Sequence, residues 1–241
     1  MSERIQKLMA QAGIGSRRHN EKLIKQGRVI LNGRLAQLGD KADLEKDEIK
    51  VDGRIINDSG HTYIALNKPK GVISSLEDEL DEDRTTVRDL IPLPGHIYPV
   101  GRLDKQSEGL MLMTNDGKLA HRLTHPRYGH EKEYEVTLEG ALADEMIEQW
   151  RRGLRLDDKM TAPAGVTLIE RTAEQTRLQL TMREGRKRQI RRIAAQFGHP
   201  VQQLVRRKIG PLTLGNLQPG QWRHLTPAEV SALQKTVKRD A

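Results

Sequence analysis

The chain contains no cysteine. Disulfides, thiolate metal sites and a cysteine nucleophile are therefore all absent from its chemistry. Aromatic residues are scarce, with four Tyr, two Trp and one Phe in 241 residues. A platform that stacks many bases, as in single-strand binders, is not expected from so few rings. No apolar run approaches the length of a membrane span. The opening MSERIQKLMAQAG is charged and lacks the apolar core of a signal peptide. The expectation is a cytoplasmic, soluble protein with no membrane partner.

What is abundant is basic charge. The formal net charge is +8, from 41 Lys and Arg against 33 Asp and Glu. The surplus is concentrated: residues 1–34 hold eight cations against two acids, and residues 183–208 nine against one. Two separated clusters point to a polyanion, nucleic acid first, that is recognised through phosphates and shape.

The apolar spacing of Ile5, Leu8, Met9 and Ala12 predicts a helix over residues 4–12. Gly13 and Gly15 end it, Ser16 caps a second helix, and Gly27 closes that one after Gln26. Asn32-Gly33 and Asp52-Gly53 read as hairpin turns. These elements form a first domain over residues 1–58, and the polar NDSGHT at residues 57–62 reads as a linker. A second domain over residues 63–235 begins with YIALNKPKGVISS, a strand, a Pro-Gly loop and another strand. Glu77 to Asp83 is an acidic loop expected to face away from a polyanion. Asn115 or Asp116 caps a short helix, Lys118 to Leu123. KEYEVTLEG alternates as a strand, Ala143 to Arg152 is an amphipathic helix, and LRLDD, AGVTLIE and TRLQLTM are further strands. Lys187 to Phe197 is a basic helix, VQQLVRRKIGPLTLG gives two extended segments, and Pro227 starts a last helix. Strands dominate without a regular beta-alpha-beta beat. The fold class is α+β, a small N-terminal α/β domain followed by a large mixed, mostly antiparallel sheet flanked by helices.

Most cofactor and metal motifs fail. GIGSRR lacks the third glycine of a dinucleotide loop, and NKPKG lacks the spacing of a phosphate loop. His121 and His125 are four apart, yet residue 122 is Arg and no third ligand is evident, so no metal and no cofactor are expected. What remains is an acid. In GRLDKQSEGLMLMT, Asp104 stands between Arg102 and a glycine-terminated turn, just before the apolar run Leu110 to Met113 that reads as a buried strand. A carboxylate can do covalent or acid–base chemistry alone when it is held and shielded, and a neighbouring arginine keeps it ionised. Arg102 and the arginines of REGRKRQIRR, with Arg188 and Arg191 three apart, are the candidates. Arg186, Lys187 and Arg192 read as phosphate contacts or solvated residues.

Residues 16–53, from SRR through KQGRVILNGRLA to DEIKVDG, resemble the S-four type RNA-binding domain. Its basic face corresponds here to Arg17, Arg18, Lys22, Lys25 and Arg28. Asn20 stands where that pattern more often has Ala. The remaining motifs, NKPKGVISS, GRLDKQSEGLMLMTNDG, KEYEV, EGRKRQIRRI and LVRRKIGPLTLGNLQPGQWRHLT, occur in the order seen in the pseudouridine synthases of the ribosomal type, which they resemble over nearly the whole chain. The resemblance implies a catalytic set of Asp104, Tyr134 and Arg191. In it Asp104 is the essential acid of uridine isomerisation, Tyr134 packs on the uracil, and Arg191 pairs with Asp104. Arg102 would fill the gap left by the flipped nucleotide, Leu204 would wall the pocket, and Lys68 would join them in handling the substrate. Arg188 would contact RNA. Met111 and Met113 replace leucines more usual there. The implied partner is ribosomal RNA, large-subunit preferred and small-subunit the alternative. One acid per site requires no second chain, so a monomer is expected. A non-catalytic RNA-binding assembly factor would explain the charge but not the acid. A metal-dependent nuclease would need clustered acids, and the sequence groups them only at residues 77–83.

Overall fold

The computed structural model describes residues 2–57, 60–78, 80 and 82–239. Two compact units emerge: Met1–Tyr63 with Pro92–Tyr98 and Met113–Gly117, and the remainder. The second of these extra segments is tied in by hydrogen bonding. Asn115 Nδ2 donates to Gln11 O and Gly60 O, and Asn115 Oδ1 accepts from Thr62 N. The sequence placed Asn115 as a possible helix cap, whereas here its amide holds the segment that reads as a linker. Asp58 and Ser59 of that segment lie outside the described residues.

Within the first unit the helices Ile5–Gln11 and Arg17–Lys25 pack Leu8, Met9, Leu23 and Ile24 against a small sheet that buries Val29 and Ile49. Ser16 Oγ accepts from His19 N at 3.1 Å, the cap expected from its position. Asn32-Gly33 and Asp52-Gly53 both have positive φ at the two turn residues, as a tight hairpin with right-handed strand twist requires. Asn20 is fully buried, and its Nδ2 donates to Gln6 O and Gly15 O, so the amide ties the two helices where an alanine could not. One element differs from expectation. Glu3–Arg4 is a short strand paired with Lys41–Ala42, and the first helix starts only at Ile5.

The second unit is built on a large sheet whose main order, among the described residues, is Gly165–Arg171, Gln175–Met182, Lys132–Glu139, Val201–Ile209, Glu108–Thr114, Tyr63–Lys68 and Trp222–His224. The Lys132–Glu139 strand pairs antiparallel on both sides, with Gln175–Met182 and Val201–Ile209. Val201–Ile209 meets Glu108–Thr114 in parallel, so the sheet is mixed but mostly antiparallel. The helices Asp144–Arg152 and Gln189–Gln196 carry Trp150 and neighbour Phe197, whose rings lie 5.9 Å apart. Leu110, Met111, Leu112 and Met113 are all fully buried, as a continuous apolar strand covered on both faces must be.

Two expectations need correction, and one strand was unforeseen. The residues after NKPKG do not form a second strand; Ile73 makes one isolated bridge to Thr86. The Trp222–His224 edge strand, three residues rich in polar side chains, was not evident in the sequence. The basic helix begins at Gln189 rather than Lys187, because Arg188 sits in the left-handed region at φ 53°. Of the acidic 77–83 loop, Glu79 and Asp81 lie outside the described residues. Asp78 there accepts from Arg84 Nε at 2.9 Å and from Arg84 N at 2.9 Å, which holds its carboxyl well below the usual range.

Candidate active site

The Asp104 turn is clamped from two directions. Ser107 N closes it on Asp104 O at 3.0 Å. On one side stands the loop after Tyr63–Lys68. Ser74 Oγ donates to Leu103 O at 2.6 Å and accepts from Leu103 N at 3.0 Å. Gly71 N donates to Lys105 O at 2.8 Å, and Lys68 Nζ donates to Pro69 O at 2.8 Å and Lys105 O at 3.5 Å. The residues before and after Asp104 are thus both fixed by NKPKGVISS. On the other side, Arg191 Nη2 donates to Gln106 O at 2.7 Å and Ser107 Oγ at 3.4 Å. A side chain held through its flanking backbone in this way needs little reorganisation to react.

Behind the turn, the Glu108–Thr114 strand starts with an unusual crossing. Gly109 has φ 105°, and a Cβ there would lie 2.6 Å from Arg206 N. Only glycine allows the two backbones to approach this closely at that angle. Arg206 itself is 2% exposed, and its Nε donates to Leu110 O at 2.8 Å. The crossing locks the strand carrying Arg206 and Leu204 against the strand that follows Asp104.

Asp104 opens onto a cavity of about 450 Å³ that Arg102, Tyr134, Leu204, Arg188 and Arg191 also line. Six of the residues singled out in the sequence therefore meet at one place, although they come from four separate segments of the chain. Tyr134 is 9% exposed and Leu204 5%, so both give apolar wall, whereas Arg102 and Arg188 are exposed at the rim. Tyr134 stands opposite Arg206 and Leu180 in the sheet, a register that turns its ring to the cavity side.

The electrostatics are one-sided. Burial and the neighbouring Arg188 push the Arg191 pKa down, while Asp104 and Glu108 pull it up. The hydrogen bonds of Arg191 among the described residues go to the Asp104 turn and to Val201 O, not to the Asp104 carboxylate. The expected Arg191–Asp104 pair is thus replaced by a backbone clamp with the carboxylate acting through its field. Lys68 is fully buried and is not part of the cavity lining; its ammonium supports the turn through the Lys105 and Pro69 carbonyls. Its removal from water lowers its pKa to about 8, against the pull of Glu108 and Asp104.

Two further arginines are accounted for elsewhere. Arg186 donates to Leu156 O, Lys159 O and Met160 O, and Arg192 pairs with Asp157. Both tie the basic segment to the Leu156–Met160 hairpin and remain partly exposed. Lys187 is exposed at the cavity. His121 and His125 have ring centroids 5.2 Å apart beside Tyr128, and no group of metal-ligating residues occurs among the described residues. Sequence reasoning missed Ser74, Gly71 and Arg206. The first two bond to a turn that stands far along the chain from them. Arg206 stands in the run Arg206-Arg207-Lys208 of the strand VQQLVRRKI, and nothing in the sequence sets it apart from its charged neighbours.

Arg17, Arg18, Lys22 and Lys25 lie on the exposed side of the second helix of the first unit. Arg28 is exposed too, but its guanidinium grips Asp52 with Nε at 2.8 Å and Nη2 at 2.6 Å.

Known proteins resemble the chain at both levels. Residues 62–196 match the family model for RNA pseudouridylate synthase, and residues 3–49 match the S4 domain. A ribosomal large subunit pseudouridine synthase B from Bacillus subtilis (strain 168) is 41% identical over 96% of this chain and 96% of its own length. An uncharacterized RNA pseudouridine synthase from Aquifex aeolicus (strain VF5) is 40% identical over 98% of this chain and 96% of its own. A dual-specificity RNA pseudouridine synthase from Salmonella typhi is 35% identical over 98% of this chain and 80% of its own. A crystal structure of a pseudouridylate synthase superposes with a TM-score of 0.68 at 31% identity, covering 95% of this chain and 99% of that one. The family model spans more than half of the chain and near-full-length relatives share its sequence and fold, so this chain belongs to the RNA pseudouridylate synthase family, isomerases of uridine in RNA, and carries an S4 domain at its N-terminal side.

Proposed function

We propose that this enzyme converts a uridine of ribosomal RNA to pseudouridine, with the large-subunit RNA as the preferred substrate and Asp104 as the reacting group. The observation that carries the reading is the clamped Asp104 turn opening onto the cavity shared by Tyr134, Leu204 and Arg102. The large-subunit preference rests on the name of the Bacillus subtilis relative, and modification of small-subunit RNA is the alternative outcome of testing.

The chemistry follows from the reaction's needs. The uridine must leave its stack before its glycosidic bond can be reached. Arg102, exposed at the cavity rim, is the residue to fill the space left behind. When the bond from the anomeric carbon to N1 breaks, positive charge grows on the sugar, and a carboxylate close by stabilises it or bonds to it. Asp104 serves either by adding to the anomeric carbon or by taking a sugar proton to leave a glycal. The uracil then turns and rejoins through carbon 5, which gives up its proton. Tyr134 and Leu204 wall the ring during that rotation and keep water from the sugar, since hydrolysis would leave an abasic site. Ser74, Gly71 and Arg191 hold Asp104 still throughout.

The test is tritium release from ribosomal RNA labelled at carbon 5 of uridine, followed by mapping of pseudouridine in RNA taken with and without the protein. Wild type is expected to release tritium and Asp104→Asn to release none while still binding RNA. Undiminished release by Asp104→Asn would overturn the assignment of the acid. Absence of any new pseudouridine in ribosomal RNA would overturn the substrate.

A further inference from the structure

Arg102 and Tyr134 line a second cavity besides the one that holds Asp104. It measures about 400 Å³ and shares Glu184, Gly185 and Arg186 with the first, so the two are divided by a common wall. Its volume lies in the range of small-molecule sites. The rest of its lining includes Thr124, Lys132 and Arg206.

The charges of this second cavity are not balanced. Arg206 is 2% exposed, and its Nη2 is buried with no hydrogen-bond partner. Lys132 Nζ donates to a backbone carbonyl, His130 O, at 3.3 Å. Burial and the adjacent Arg206 charge both push the Lys132 pKa down, the mark of two cations with no anion between them. The carboxylate on the wall, Glu184, is engaged away from Lys132 and Arg206: Oε1 accepts from Ala162 N at 3.0 Å and from Gln189 Nε2 at 2.6 Å, and Oε2 pairs with Arg186 Nε at 3.6 Å. Other cations, Arg183 of this lining with Glu131 among them, meet carboxylates. Arg171 pairs with Asp144, Arg177 and Arg207 with Glu135, Lys208 with Glu133, and Arg223 with Glu229. A buried arginine group without a partner costs free energy that an incoming anion returns.

We infer that this second cavity binds the phosphodiester of the nucleotide flanking the flipped uridine, held by Lys132 and Arg206 across the Arg102–Tyr134 wall. The inference rests on the reading of the Asp104 cavity as the uridine site, because a strand that enters one cavity passes the shared wall into the other. It gives the enzyme a second point of hold on the RNA strand, next to the reacting base. That hold fixes the strand's direction as well as its depth. Phosphate contacts of this kind set register without reading sequence.

The test is the salt dependence of binding to ribosomal RNA, measured for the full-length protein, with tritium release followed on the same preparations. Removing one cation that meets a phosphate lowers the slope of log affinity against log salt by about one. Lys132→Gln is expected to lower that slope by about one and to raise KM about tenfold, a loss of about 1.4 kcal/mol. Arg206 is left intact, because its Nε also holds Leu110 O. A second pair of variants uses Thr124, which is exposed at the cavity. Thr124→Glu is expected to weaken binding about tenfold relative to Thr124→Gln, because only the former adds a negative charge. In a fragment around the uridine that wild type modifies, a neutral methylphosphonate at the flanking position should weaken wild type but weaken Lys132→Gln no further. An unchanged slope in Lys132→Gln, equal effects of Thr124→Glu and Thr124→Gln, or additive effects of Lys132→Gln and the methylphosphonate would each overturn the inference. Wild type that binds with the expected slopes yet releases no tritium would instead overturn the reading of the Asp104 cavity.

Discussion

Lys68 shows what one side chain costs at this site. It is fully buried beneath the Asp104 turn, and desolvation brings its pKa from 10.5 to about 8. The folded chain therefore holds this proton less tightly than the unfolded chain does. Below pH 8 both states are protonated and the full penalty of burying the ammonium is present. Between pH 8 and 10.5 the unfolded chain binds more protons, so stability rises with pH; above 10.5 the penalty is gone. A shift of this size corresponds to about 3 kcal/mol. Urea unfolding at about pH 7 and about pH 10 should show wild type gaining on Lys68→Met by that order between the two conditions. A difference that does not change with pH would mean that the ammonium is hydrated in the folded protein. That burial was not legible in sequence, because nothing in the run YIALNK marks its closing lysine as buried, and only the Lys105 and Pro69 carbonyls that receive it reveal the inward course.

At the scale of elements, the site is a turn between a clamp and a strand crossing. Gly109 is the point on which that crossing depends. Gly109→Ala would place a Cβ against the Arg206 backbone at a positive φ, and the two effects together should destabilise the fold by about 2 kcal/mol or more. Denaturant midpoints would register the destabilisation, and a midpoint equal to wild type would show that the strands can separate at no cost. The buried strand was readable because Leu110 to Met113 is apolar at every position, and the hairpins because Asn-Gly and Asp-Gly have few other uses. The KEYEV strand was readable from its alternation, which places Tyr134, Val136 and Leu138 on one buried face. The clamp was not readable. Ser74 and Gly71 reach the Asp104 turn across a loop, and no local pattern records which backbone atoms a distant serine will bond. The start of the basic helix was misplaced for a related reason. Arg188 adopts the left-handed conformation, and a run of arginines and lysines carries no signal for it.

For the whole molecule, net charge is informative only where cations lack carboxylates. The first unit shows both situations on one surface. Arg17, Arg18, Lys22 and Lys25 are exposed and form no salt bridge among the described residues, whereas Arg28 is held by Asp52 through two hydrogen bonds. If this face meets RNA, Arg18→Gln or Lys22→Gln should each lower the salt slope of RNA binding by about one. Arg28→Gln should lower it less, because a phosphate must first displace Asp52. Asp52→Asn separates these cases. Asparagine keeps the positive φ of 49° that the turn requires, so the hairpin is preserved while Arg28 is released. The expected result is tighter binding and a steeper slope than wild type, with the gain abolished in the Arg28→Gln, Asp52→Asn double variant. If Asp52→Asn leaves affinity and slope unchanged, Arg28 stands outside the RNA contact, and the basic face ends with the helix that carries Lys25.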